Sequence, residues 1–184
     1  KKAFAKFVFL DDGTSISMYP GSEIIITGKI EKRMISKQIE LITGIITVNV
    51  TNQALGEFKL VTPNSELTCN ECVFWVLLNP LTGDEFIKER GNISIWNPSM
   101  NRTEGLVSDT TLNSLINEGF KQYETPITDI KYLESLMLEV DELVLQYNKE
   151  DAGEPSLGII TNVVVIKMKN AANLEREIIL TYTQ

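Results

Sequence analysis

No histidine occurs anywhere in these 184 residues, and there are only two cysteines, Cys69 and Cys72. Histidine is the usual proton shuttle near neutral pH and the commonest metal ligand. Without it, catalytic triads and most transition-metal sites cannot be built from this chain alone. Long apolar runs are missing as well. The longest blocks, Val73 to Leu78 and Val163 to Ile166, are strand-sized and fall well short of the roughly 18 residues that a membrane-spanning helix needs. Basic residues are few, 17 against 25 acidic ones, for a net charge of −8. They are also scattered, and the nearest approach to a cluster is Lys32-Arg33 with Lys29 and Lys37. Phosphate backbones and anionic membranes draw on clustered Lys and Arg, so contact with nucleic acid or membrane is not expected. No P-loop, dinucleotide-binding glycine motif or nucleophile elbow is present. Together these gaps favour a passive role, in assembly or binding, over chemistry, and no catalytic residue, cofactor or metal ligand is assigned.

Hydrophobic content is 43% and charged content 23%, the balance of a folded soluble protein. The length fits one domain, residues 1–184, with a sizeable core. The chain opens Lys1-Lys2-Ala3 without a Met, so it reads as a processed or trimmed product. No signal peptide is visible, and a removed one would leave no trace.

The first two-thirds reads as short β segments. Ala3 to Leu10 closes on the turn Asp11-Asp12-Gly13, and Ser15 to Tyr19 closes on Pro20-Gly21. Glu23 to Ile30 and Met34 to Val50 are rich in β-branched residues, which favour strands. Gly44 inside the second marks a bulge or bend. Phe58 to Thr62 follows, and Cys72 to Leu78 is apolar throughout, as a central strand buried on both faces would be. Asn79 to Asp84 reads as a loop and Ile93 to Trp96 as another strand.

From Ser108 the pattern changes. Ser108 or Asp109 can cap a helix starting near Thr110, with Leu112, Leu115, Ile116, Phe120 and Tyr123 as its apolar stripe and Pro126 as its end. Ile130 to Tyr147 fits both helix and strand, and its Leu and Glu content favours helix. Asn148 to Pro155 is a polar, acidic loop. Ile159 to Met168 and Glu175 to Tyr182 then form a terminal hairpin around the turn residues Asn170 to Asn173. The expected fold is mainly β, a jelly-roll-like sandwich with one or two helices inserted between residues 108 and 147.

Candidate chemistry is sparse. Cys69-Asn70-Glu71-Cys72 has C-x-x-C spacing, which serves redox dithiols and half-sites for zinc. It leads into an apolar strand instead of a helix N-terminus, and no second ligand pair exists. Two ordinary thiols, with Cys72 buried, are the expected state, and a local disulfide is the alternative. The carboxylates Asp11-Asp12, Asp84-Glu85, Glu150-Asp151 with Glu154, and Glu139 with Glu142 follow no calcium-loop spacing. A solvated face is the expected role of the last pair. Sequons stand at Asn49, Asn92 and Asn101, about as often as chance supplies them, and Asn49 lies in an expected strand. Trp75 and Trp96 with Tyr19 and Phe86 could form a stacking patch, but core and rim are expected, because Trp75 sits in the most apolar strand.

The last thirty residues, from Pro155 to Gln184, resemble the close of phage tail-tube proteins: a long hairpin whose final strand, Leu174 to Tyr182, alternates after an acidic turn. Ile26-Thr27-Gly28-Lys29-Ile30 resembles a strand of the jelly-roll coat proteins of picorna-like viruses, and Gln184 suits their Gln-directed processing proteases. The resemblance implies a β-sandwich subunit of a virus particle, capsid or tail-tube, located in the virion, whose partners are copies of itself or related subunits. Assembly would run through strand edges and apolar patches, with Val73 to Leu78 and Ile178 to Tyr182 as scaffold and the loops at 79–84 and 148–155 at contacts. An extracellular adhesion-type module for a glycan or protein is the rival expectation, and an enzyme using carboxylates alone is the third.

Overall fold

The computed structural model describes residues 5–9, 12–31, 34–53, 56–79, 83–150, 160–169 and 175–183. The fold is mainly β and sandwich-like. In chain order the strands are β1 (Ala5–Val8), β2 (Ser15–Met18), β3 (Glu23–Glu31), β4 (Met34–Val50), β5 (Gly56–Val61), β6 (Glu66–Asn79), β7 (Gly83–Asn97), β8 (Arg102–Gly105), β9 (Thr110–Leu115) and β10 (Gly119–Glu124). The helix α1 (Ile127–Glu150) and the hairpin β11 (Ile160–Lys169) and β12 (Glu175–Thr183) follow. The first ten strands form one sheet, and β11 and β12 form a separate pair with β11 beside β3.

Strand β4 organises the sheet, because its two halves choose different neighbours. Residues 34–43 pair with β3 antiparallel, and residues 35–40 pair with β5 parallel. Residues 44–50 pair with β6, and residues 46–49 also with β2. The change falls at Gly44, whose φ is +94° and where a Cβ would sit 2.4 Å from Ser22. Ser22 ties the corner: its hydroxyl donates to the Ile45 carbonyl (2.7 Å) and accepts from the Ile45 N–H (2.9 Å). Because β5 also pairs with β6, the contacts β4–β5–β6–β4 close a ring and roll the sheet around its inner face.

Three bulges decide which residues face inward. Side chains alternate along a strand, so one extra residue exchanges the two faces. On β4 the extra residue is Ile42: Ile24 pairs with Leu41 and Glu23 with Thr43. Hence Ile39 and Leu41 before it, and Ile46, Val48 and Val50 after it, all enter the same core. On β6 the extra residue lies between Cys69 and Cys72, and the core set moves from Leu67 and Cys69 to Cys72, Phe74 and Val76. On β7 it is Glu89, and the set moves from Phe86 to Ile93 and Ile95. As expected, the segment from Cys72 to Leu78 is central, and Phe74, Trp75 and Val76 in succession are buried.

Three expectations are corrected. The segment after Ser108 is the hairpin β9–β10, not a helix. Asn117 (φ +63°) and Gly119 (φ +74°) make its turn, Leu112 and Phe120 turn to the core, and Ile116 is left exposed in the turn. The expected loop at 79–84 is strand at both ends, because Asn79 closes β6 and pairs with Gly83, which opens β7, and residues 80–82 lie outside the described residues. Asn148 to Glu150 belong to α1, and the rest of that expected loop lies outside the described residues, as do Asn170 to Asn173. The segment from Ile130 to Tyr147 is helical.

Candidate functional site

The outer face of the sheet carries a second, smaller apolar cluster. Trp75 on β6 stands in register with Thr47 on β4 and Ile87 on β7. Tyr19 stacks on Trp75 with ring centroids 5.2 Å apart, and its hydroxyl lies 3.1 Å from that of Thr47. The Trp75 Nε1–H donates to Glu89 Oε1 at 2.7 Å. The bulge at Glu89 thus aims a carboxylate at an indole that would otherwise be buried with its donor unmet. Leu133 and Leu136 of α1 pack onto Tyr19, Trp75 and Ile87. Each leucine contributes about 1.5–3 kcal/mol on burial, so a few side chains moor the helix.

Helix α1 starts where Pro126 stops β10. The N–H groups of Asp129 and Ile130 donate to the Pro126 carbonyl (2.9 and 3.2 Å), and Asp129 in the first turn suits the positive end of the helix dipole. Successive residues turn by about 100°, so Ile127 aligns with Leu138, and Ile130 with Met137. Ile127 and Leu138 lie opposite the Leu133–Leu136 face and are exposed by 70% and 63%, whereas Ile130 and Met137 border that face beside Leu133 and are exposed by 39% and 40%. By the same turn Glu134 falls between the two pairs and Lys131 beside Leu138, while Asp129 falls on the Leu133–Leu136 side. Tyr123 reports the carboxylates on that side. Burial first, then the negative charges of Glu85 and Asp129, raise its phenol pKa. An exposed apolar stripe with a charged rim is the pattern of an interaction surface.

Two polar clusters brace the inner face. Asp12 accepts hydrogen bonds from the Thr14 N–H (2.8 Å) and hydroxyl (2.9 Å), from the Gln53 amide and from the buried Lys37 ammonium, which also lies over the Phe9 ring. Asp84 accepts from the Thr62 hydroxyl (2.6 Å), the Asn64 N–H (2.8 Å) and the Asn64 side chain (3.1 Å). Both clusters join turns to strands, and among the described residues no group of three metal-ligating side chains occurs.

Most residues singled out from the sequence are not brought together. Asp84 faces inward and Glu85 outward, where it accepts from Asn113 Nδ2 at 3.3 Å. Glu139 is half-buried on α1, and the side chain of Glu142 is outside the described residues, as are Asp11, Asp151 and Glu154. Phe86 lies in the inner core, Trp75 in the outer cluster, and Trp96 is half-buried further along β7, so the four form no common patch, although Tyr19 stacks on Trp75. Asn49 is half-buried in β4, whereas Asn92 and Asn101 are exposed. The expectation of two free thiols is corrected: Cys69 and Cys72 are disulfide-bonded, because the bulge brings their Cα atoms to 6.3 Å with both side chains on the core face. The Lys37–Asp12 pair and the stripe on α1 escaped sequence reasoning. The pair has no local signal, but the stripe was visible as more apolar residues than one buried helix face needs.

No protein-family model matches this chain, and no curated protein matches it. Two crystal structures, both of a candidate anti-sigma factor from Parabacteroides distasonis, share its fold. Their TM-scores are 0.55 and 0.54 at 12% and 13% identity, each over 70% of this chain. They are longer proteins: this chain spans 59% and 63% of their length. Anti-sigma factors are regulators, so the expectation of a virus-particle subunit, capsid or tail-tube, is corrected. The fold is therefore one that this chain shares with a candidate anti-sigma factor.

Proposed function

We propose that this chain is a non-catalytic regulatory domain that works by holding a protein partner, a sigma factor being the class that its structural neighbours name. The observation that carries this reading is the stripe Ile127, Ile130, Met137 and Leu138, exposed on a helix whose other face is already seated. Exposed apolar side chains are costly in water and gain their burial from a partner. The net charge of −8 favours a partner with basic surface, and proteins that work on DNA carry such surface.

The test is titration calorimetry of the whole chain against purified sigma factors from the same genome, with a Met137→Ser, Leu138→Ser variant alongside. Binding by the parent chain and a loss of about tenfold or more in the variant, about 1.4 kcal/mol, support the reading, provided that the variant's melting temperature is unchanged. It fails if no sigma factor binds, or if parent and variant bind alike.

A further inference from the structure

The disulfide between Cys69 and Cys72 closes over the bulge that exchanges the faces of β6. Asn70 and Glu71 inside the loop are exposed, Cys69 is half-buried and Cys72 is fully buried. Strand β7 presses against this loop from the other side. Gly91 stands opposite Cys72 with φ +89°, and a Cβ there would lie 2.2 Å from the Glu71 carbonyl oxygen. A shallow depression of about 370 Å³, lined by Asn70, Glu71, Arg90, Gly91 and Asn92, opens over the loop to solvent.

The loop is also tied inward. The Gln53 backbone N–H donates both to the Asn70 carbonyl (3.2 Å) and to Asn70 Oδ1 (3.0 Å). The Gln53 side-chain amide donates to Asp12, to the Thr14 hydroxyl (3.1 Å) and to the Thr51 carbonyl (3.1 Å). The Thr51 N–H donates to the Thr14 hydroxyl (3.3 Å), and Asp12 holds the buried Lys37. A continuous chain of bonds therefore joins the exposed loop that the disulfide closes to a buried ion pair.

We propose that the Cys69–Cys72 disulfide is a reversible redox clip, and that opening it loosens this chain of bonds as far as Asp12 and Lys37. The co-reactant is a dithiol. Its thiolate attacks Cys69 Sγ, the half-exposed end, the protein S–S bond breaks, and Cys72 leaves as a thiolate and is protonated. The second thiol of the reductant then attacks the first reductant sulfur, Cys69 leaves as a thiolate and is protonated, and the reductant becomes a disulfide. Two electrons and two protons pass from the dithiol to the protein. Both reduced side chains still face the core, so strand pairing survives. What is lost is the covalent limit on the loop that positions Asn70. The inference does not depend on the identity of the protein partner.

The experiment is amide hydrogen exchange on the full chain, oxidised and after excess dithiothreitol, with alkylation counted by mass. The expected result is that two cysteines become alkylated and that exchange at Thr14, Thr51 and Gln53 quickens by about tenfold or more. The β9–β10 hairpin should not change, and reoxidation should restore the slow pattern. A Cys69→Ser, Cys72→Ser chain should match the reduced pattern, and Asn70→Ala should quicken Gln53 while the disulfide stays intact. The proposal is overturned if the disulfide resists dithiol in the folded chain, or if Thr14 and Thr51 exchange alike in both states. It is equally overturned if reduction also opens β9–β10, since the bond would then be a global staple.

Discussion

Asp12 and Asp84 are both drawn into the sheet, both accept several hydrogen bonds, and their acidities move in opposite directions. For Asp12, burial raises the pKa, but the Lys37 ammonium, the Thr14 N–H, the Gln53 amide and the Thr14 hydroxyl outweigh it and hold the carboxyl at about 2. For Asp84, burial wins over the Thr62 hydroxyl and the two Asn64 donors, and the pKa is raised. Two things differ: Asp84 is the more deeply buried, and only Asp12 has a cation beside it. Neutral donors replace lost water only in part, whereas an ammonium favours the charged form outright. The consequences for stability are opposite in sign. Asp12 has a folded pKa below its unfolded value of 3.8, so its contribution is present above that value and is lost as pH falls through about 2. Asp84 has a folded pKa above 3.8, so its contribution is present below that value and is lost as pH rises through the folded pKa.

Removing the cation should collapse the contrast. Lys37→Met leaves Asp12 buried beside neutral donors only, and should cost about 3–5 kcal/mol in urea unfolding at neutral pH. The Asp12 carboxyl, followed by NMR, should then titrate higher than in the parent chain. A loss below about 1 kcal/mol would show that the pair contributes little beyond its packing. Next in size is Thr62→Ala, which removes the shortest bond to Asp84 and should cost about 1.5 kcal/mol while raising the Asp84 pKa further. Smallest is Asp84→Asn. It removes a charge that burial opposes but also an acceptor, so at neutral pH its stability should stay within about 1 kcal/mol of the parent. Its stability should also fall less than the parent's as pH rises above 4, because the parent's loss there comes from ionising Asp84. A steeper fall would reverse the assignment for this residue.

How much of this was legible depends on whether the signal is local. The β-branched run of β4 marked both of its ends, and the Leu and Glu content of the segment from Ile130 identified α1. The hairpin β9–β10 was misread because Leu112, Ile116 and Phe120 recur at helical spacing, although only Leu112 and Phe120 face the core. Thr110-Thr111 and the turn pair Asn117 and Gly119 were the competing signals, and they prevailed. The disulfide was only the second reading and the Lys37–Asp12 pair was beyond reach, for different reasons. The two cysteines meet only once an extra residue is squeezed out of β6, and Lys37 and Asp12 are 25 positions apart with no pattern linking them. The stripe on α1 was visible as apolar content, but its exposure depends on how little of the helix the sheet covers.

The bulge on β6 has a consequence for how this chain can change over time. Removing Glu71 alone would leave Cys69 and Cys72 two positions apart, in plain alternation, with Phe74 and Val76 still inside and Trp75 still outside. A single-codon deletion at the bulge is therefore a smaller step than one in the regular stretch that follows, where losing a residue would exchange the two faces beyond it. Length can change at this one point of the strand more readily than on either side of it.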